Sequence, residues 1–139
     1  PALNDMLGDY GTILSARFST MLHKGSVGEK WWKNEELRRL FAQVFIIAIL
    51  TTIISVVAAL AISTFSGNPA GIGLAGKVFA VSLIDVAILI IVMFAVSISA
   101  GMYFFGKGED PNNFLIPITT SIADFGNMIL LSILIVIIF

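Results

Sequence analysis

The stretch FAQVFIIAILTTIISVVAALAISTF, residues 41–65, decides the fold, because it carries no ionisable side chain over more than the ~20 apolar residues that cross a bilayer core. Residues 77–105 form a second long apolar stretch, which only Asp85 interrupts internally, and residues 114–139 form a third. We therefore predict an all-α, polytopic helical membrane protein. It has one transmembrane domain over residues 1–139, with three full transmembrane helices at these three stretches.

Composition excludes a soluble domain, since 58% of the 139 residues are apolar and 12% are charged, against about 45–50% and about 25% in soluble domains. The net charge of −1 gives no general attraction to nucleic acid, so the expected partner is the lipid bilayer. Without cysteine, the chain has neither disulfides nor thiolate metal sites. The chain opens at Pro1 rather than at Met, which leaves open a further transmembrane segment upstream.

The loops between the spans predict the orientation in the membrane. Asn34 is predicted to cap the first span, and residues 66–76, rich in glycine and containing Pro69, read as a turn. Basic residues outnumber acidic ones in loop 23–40, which also carries two tryptophans, and both features are typical of a cytoplasmic interface. We therefore place loops 23–40 and 106–113 in the cytoplasm and the C-terminus outside, in an integral protein of the plasma membrane.

Residues 1–24 are predicted to form an amphipathic helix that is too polar to face lipid on every side. At 100° per residue, one face is wet and carries Asp5, Asp9, Thr12, Ala16, Ser19, Thr20 and His23. The opposite face is apolar and carries Leu3, Leu7, Tyr10, Leu14, Phe18 and Met21. Helices that lie on a membrane favour Lys and Arg on the polar face, whereas this face is acidic. We favour a helix that lines an aqueous path inside a bundle, and an interfacial helix stays open as the alternative.

Asp124 is the strongest candidate for an ion site. On the third span it shares one polar stripe with Asn113, Pro117, Thr120 and Asn127. An ionisable residue within a span costs about 2.5–3.5 kcal/mol on insertion scales, so it usually faces a cavity or a partner. Pro117 also frees a backbone carbonyl, which only a cavity or packed protein can accommodate at membrane depth. The stripe predicts an ion path, and a structural, hydrogen-bonded aspartate is the alternative.

The other acidic residues are weaker candidates. Asp85 has mostly apolar helical neighbours, which favours a structural pairing with Lys77 or Arg17 over a role in transport. Glu109 and Asp110 lie in a polar loop, where an acidic residue most often caps a helix.

The side-chain inventory suits a hard divalent cation. Mg²⁺ prefers oxygen ligands and sheds water reluctantly, so its sites often hold a hydrated ion with one or two carboxylates. Asp5, Asp9 and Asp124 offer such carboxylates, whereas a single His and no Cys argue against a Zn²⁺ or Cu⁺ site.

Catalytic motifs are missing from the sequence. Two aspartates in predicted spans suggest an intramembrane aspartyl enzyme, but the GxGD pattern is absent because Met6 stands two residues before Gly8. GxSxG, HExxH and phosphate-cradling loops are also absent. We predict that the protein is not an enzyme and uses no organic cofactor.

Two motifs resemble the membrane domain of MgtE-type magnesium channels and of the related eukaryotic solute-carrier magnesium transporters. EDPNNFLIPITTSIADFGNMILLS, residues 109–132, is similar to the family pattern of DP, a Pro six residues later, a Thr or Ser pair, and an Asp before a long apolar run. PALNDMLGDYGTILSARFST, residues 1–20, is similar to the family's Pro, then Gly-Asn-x-Gly, then small residues before an Arg. Between these motifs, only hydropathy and loop charge agree.

The resemblance implies roles for individual residues. Asp124 falls on the family's pore aspartate, which holds a largely hydrated Mg²⁺, and Thr120 falls on the residue one turn earlier that approaches the same ion. Gly8 and Gly11 fall on the glycines of the pore helix. Asp110 falls on a cytoplasmic aspartate, which implies a second, weaker ion position.

The sequence also departs from the family. Asp9 stands where the bacterial channels have Asn, which adds charge to the path, and Asp85 matches no family position. The bacterial channels have five spans and cytoplasmic magnesium-sensing domains, whereas this chain begins partway down what would be their second span. Regulation by those domains is therefore not carried over.

We predict a divalent-cation channel or transporter domain that carries largely hydrated Mg²⁺ along a carboxylate-lined path. The predicted metal ligands are Asp124, Thr120, Asp9, Asp5, Asn127 and Asp110, and the further pore-lining residues are Gly8, Gly11, Thr12 and Pro117. Three spans and one amphipathic helix cannot enclose an aqueous path, so we expect a two-fold homodimer. The alternatives are a Na⁺- or H⁺-coupled cation transporter and a non-transporting subunit whose aspartates pair with basic residues of a partner.

Overall fold

The computed structural model describes residues 2–28 and 30–139, which form helices joined by short turns. The helices are α1 (Ala2–His23), α2 (Glu35–Phe65), α3 (Ile72–Gly106), α4 (Asn112–Ser121) and α5 (Asn127–Ile138). A π-helical turn, Ile122–Gly126, joins α4 to α5, and a 3-10 turn, Trp31–Lys33, precedes α2. The described residues contain no strand, which confirms the all-α prediction.

Three helical segments are long and apolar enough to cross a membrane: α2, α3 and the continuous segment Asn112–Ile138. Their outer faces leave large apolar side chains open, among them Ile46, Ile54, Ile91, Ile133 and Val136. A helix satisfies its backbone hydrogen bonds internally, so such faces are stable against lipid. The protein is therefore an integral membrane protein.

Local signals set the helix ends, and they extend the helices beyond the predicted apolar spans. Asn34 caps α2 as predicted, because its side chain accepts a 2.9 Å hydrogen bond from the Leu37 backbone N–H. Helix α2 therefore starts at Glu35, upstream of residue 41. Helix α3 starts at Ile72, so Gly73 and Gly76 lie in the helix and not in the predicted turn. Gly67, at φ +79°, supplies the left-handed residue of that turn.

Helix α1 packs against α2, α3 and α4. Its buried face carries Leu7, Tyr10, Leu14, Phe18 and Met21, as the sequence periodicity predicts. The contacts of Ser15 with Thr119 and of Ser19 with Asp110 show that α1 and α4 run antiparallel. Helix α1 thereby lies alongside the first half of the third span.

Two glycines allow this close packing. A Cβ at Gly101 of α3 would lie 2.6 Å from Cε1 of Phe18, and a Cβ at Gly11 of α1 would lie 3.0 Å from Cβ of Thr119. Contacts shorter than 3.0 Å essentially never occur for real Cβ atoms, and at 3.0–3.4 Å the neighbour must shift by a few tenths of an ångström. Glycine at these two positions sets the distance between α1 and its neighbours.

Candidate cation pathway

Asp124 lies in the π-helical turn, near the middle of the 27-residue span Asn112–Ile138, and its side chain is exposed. The span is irregular just before this turn. Pro117 inside α4 has no N–H to donate, and the Thr119 and Thr120 hydroxyls donate to the Leu115 and Ile116 carbonyls at 2.9 and 2.8 Å. Such back-bonding often bends helices, and π-helical turns are frequent at functional sites.

Asn4 of α1 orients the Asp124 carboxylate. Its Nδ2 donates a 2.7 Å hydrogen bond to Asp124 Oδ1, and its Oδ1 accepts a 3.2 Å hydrogen bond from Asn127 Nδ2. A carboxylate has about four lone-pair sites, so this bond leaves room for water or an ion. The Asn4 and Asn127 amides thus connect α1 to the middle of the third span through hydrogen bonds.

Sequence reasoning missed Asn4, although a signal was present. Asn4, Gly11, Ser15 and Ser19 recur at helical spacing and form a stripe of small and polar residues, which faces the third span and the loop before it. One residue of the predicted wet face belongs to this stripe instead. Ser19, predicted to be wet, is buried and donates a 3.4 Å hydrogen bond to Asp110 Oδ1.

The remaining wet face of α1 is open, as predicted. Asp5, Asp9 and Thr12 are exposed, and the Thr12 hydroxyl donates to the Gly8 carbonyl at 3.0 Å. A Cβ at Gly8 would have no neighbour within 4 Å, whereas Gly11 is buried against Thr119. Of the two predicted pore glycines, only Gly8 borders the open surface of the protomer.

The predicted stripe on the third span is broken at Asn127. Asn113, Pro117 and Asp124 are exposed and Thr120 is half-buried, but Asn127 is only 5% exposed and faces Asn4. The prediction of one continuous stripe is therefore wrong. A π-helical turn has more residues per turn than an α-helix, so it rotates every later side chain away from the extrapolated direction.

Asp110 acts as a helix cap at the other end of α4. Its Oδ1 accepts the backbone N–H of Asn112 at 3.0 Å as well as the Ser19 hydroxyl. This is the capping geometry expected for an acidic residue in that loop. Asp110 is exposed, so an ion can still reach its carboxylate.

Within residues 2–28 and 30–139, no three His, Cys, Asp or Glu side chains converge to hold a metal ion.

Asp85 is fully buried in α3, and neither of its carboxylate oxygens has a hydrogen-bond partner in the described part of the chain. The predicted pairing with Lys77 or Arg17 is therefore wrong. Lys77 lies instead over the Phe139 ring, with Nζ 5.2 Å from the ring centroid, and Arg17 faces outward next to Thr20. Lys77 lies about two turns before Asp85 on the same helix, and Arg17 projects from the exposed side of α1.

An oriented carboxylate exposed at mid-span is typical of ion pathways in helical membrane proteins. Comparison with protein families identifies the family: the family model described as MgtE, divalent cation transporter, matches residues 1–134. The chain belongs to this family, which is a family of transporters and not of enzymes. No curated protein and no solved structure matches the chain.

Proposed function

We propose that this domain conducts Mg²⁺ as a two-fold homodimer, with the ion passing largely hydrated between the exposed faces of α1 and the third span of the two copies. The observation that carries the proposal is the position of Asp124, a carboxylate exposed near the middle of a membrane-spanning segment. Membership of a divalent cation transporter family supports it.

The energy of an exposed carboxylate at membrane depth supports the dimer. Placing one aspartate against lipid costs about 2.5–3.5 kcal/mol, and Asp5 and Asp9 add further carboxylates on the same exposed side of α1. Water in a pore and a second copy of the chain relieve this cost. Since two-fold symmetry is the commonest way for identical chains to associate, it would bring two copies of Asp124 to one axis.

Different residues supply the charge, the water-binding oxygens and the lining of the proposed path for a hydrated cation. The two Asp124 carboxylates supply charge in a region of low dielectric, where Coulomb attraction is stronger than in water, and Asn4 fixes their direction. Exposed or half-buried side-chain oxygens further along the path bind the water shell: Asp5, Asp9, Thr12, Thr120 and, at the cytoplasmic end, Asp110. Asn127 is buried and supports this site from behind, through its hydrogen bond to Asn4. Gly8 and Pro117 border the path, whereas Gly11 lies behind it and lets α1 pack closely against Thr119.

Orientation follows from loop charge. Basic residues concentrate in loop 23–40, so this loop and loop 106–113 lie in the cytoplasm of a plasma-membrane protein and the C-terminus lies outside.

A coupled transporter is the second candidate, and Asp85 favours it. A buried carboxyl without a polar partner is positioned to exchange a proton or a monovalent cation during transport.

Magnesium flux into liposomes tests the proposal. Asp124→Asn keeps the side-chain volume but removes the charge, so Mg²⁺ uptake falls at least about tenfold, since a unit charge near the ion is worth several kcal/mol at low dielectric. The control is Glu109→Gln, which removes an exposed loop carboxylate outside the path and leaves uptake unchanged. Normal uptake by Asp124→Asn contradicts the proposal.

A further inference from the structure

A groove between the end of α1 and the start of α2 concentrates positive charge. It has a volume of about 280 Å³ and is bordered by Arg17, Lys24 and Arg39, with Glu36 as its one carboxylate. All four side chains are exposed. We refer to it as the basic groove, and nothing in the proposed cation path uses it, because cations repel Mg²⁺.

The walls of the basic groove suit a phosphate group. Arginine binds phosphate oxygens in a planar, bidentate manner, and lysine binds them as a point charge. Three cations against one carboxylate leave the groove with a net positive charge. Its floor is apolar, since Met21 and Leu40 are both buried.

The surroundings of the basic groove are those of a lipid and not of a dissolved ion. The groove lies where the polar start of α2 gives way to its lipid-facing side, and Ile46, Ile47 and Leu50 continue from Gln43 at helical spacing with their side chains exposed. A second hollow of about 490 Å³ shares Arg17 and Thr20 with it and extends to Ile13. Acyl chains therefore have an apolar surface directly beside the charges.

We propose that the basic groove binds the phosphate of an anionic phospholipid, with its acyl chains lying along the exposed face of α2. The chemistry is recognition of a phosphate diester by Arg17, Arg39 and Lys24. Free phosphate shares this chemistry but lacks the apolar part, and it is distinguished below. The proposal is independent of ion conduction.

Lipid retention measures this binding directly. The full chain is reconstituted in equal amounts of phosphatidylglycerol and phosphatidylcholine, extracted in mild detergent, and analysed for bound lipid by native mass spectrometry. The wild type retains phosphatidylglycerol in preference. Because a hydrogen bond to a charged group contributes about 1.5–3 kcal/mol, or more than about tenfold, Arg17→Gln with Arg39→Gln lowers this preference at least about thirtyfold.

The matched control removes the same charge outside the basic groove. Lys33→Gln with Arg38→Gln changes two exposed basic residues of the same region and leaves the preference nearly intact. Lys24→Gln, just beyond the end of α1, lowers it about fivefold and keeps the test valid if the double variant does not fold.

Three outcomes overturn the proposal. In the first, the wild type retains both lipids equally, as it would if a second copy filled the groove. In the second, the control pair lowers the preference as much as the groove pair, which indicates general surface charge. In the third, excess inorganic phosphate displaces phosphatidylglycerol, which assigns the groove to a free anion. Magnesium flux is not measured, so failure here leaves the proposed function untouched.

Discussion

Asp85 is the residue whose burial is hardest to reconcile with its chemistry, because its carboxylate has no hydrogen-bond partner in the described structure. A buried polar group left unsatisfied costs about 1–3 kcal/mol. We expect Asp85→Leu to raise the free energy of unfolding by about that amount, and Glu109→Gln, on the surface, to leave it unchanged. Thermal unfolding in detergent measures both.

The same Asp85 variant separates stability from transport. If Asp85 takes part in coupling, Asp85→Leu lowers Mg²⁺ uptake while the protein becomes more stable. A loss of stability would instead mean that Asp85 has a polar partner in the membrane, since breaking a buried pair leaves the other charge uncompensated.

Gly101 illustrates how a single hydrogen sets the distance between helices. A Cβ at this position would meet Phe18 at 2.6 Å and Leu115 at 3.2 Å, and both side chains are fully packed. We expect Gly101→Ala to lower the free energy of unfolding by about 1–3 kcal/mol through overpacking. Gly76→Ala, in the same helix with no neighbour within 4 Å, should leave stability unchanged or raise it slightly. Equal thermal unfolding of the two variants would contradict the packing argument.

The π-helical turn is the element that controls which side chains face the proposed path. Pro117 lies one and a half turns before it and cannot donate to the Asn113 carbonyl. Pro117→Ala restores that hydrogen bond, so we expect a straighter α4, equal or greater thermal stability, and Mg²⁺ uptake lowered several-fold. Pro69→Ala, in the exposed turn between α2 and α3, is the control. Uptake unchanged by Pro117→Ala would show that the irregular backbone is not needed for conduction.

The elements differ in how far sequence predicts them. Long apolar runs, the amphipathic face of α1 and the Asn34 cap follow from local composition and periodicity, and the structure contains all three. Side-chain directions extrapolated at 100° per residue are wrong beyond Ile122–Gly126, because the sequence pattern does not predict a π-helical turn. It therefore misplaces Asn127 and overlooks Asn4, whose role depends on a contact between the two ends of the chain.

The sequence also did not show that Asp85 is buried without a charged partner in the described part of the chain. Opposite charge is the only feature of Lys77 and Arg17 that predicts their pairing with Asp85. Whether opposite charges meet depends on helix rotation and crossing, which the tertiary contacts determine.

At the scale of the whole molecule, the proposed homodimer would cover the exposed carboxylates Asp5, Asp9 and Asp124. We expect Thr12→Cys, on the exposed face of α1, to form a disulfide between two copies in bilayers, and the chain has no native cysteine to interfere. Ile91→Cys, on the exposed apolar side of α3, serves as the control and should stay monomeric on a non-reducing gel. A Thr12→Cys protein that does not crosslink, or one that crosslinks no better than Ile91→Cys, would contradict a pore shared by two copies.

The contact between Asn4 and Asn127 has a consequence for biosynthesis. The ribosome makes Asn4 long before Asn127 and Asp124, and α1 on its own is less apolar than the three spans that enclose it. The two hydrogen bonds of Asn4 can therefore form only after the third span has been made. A chain truncated before Asp124 would lack both partners of Asn4 and leave that side of α1 uncovered.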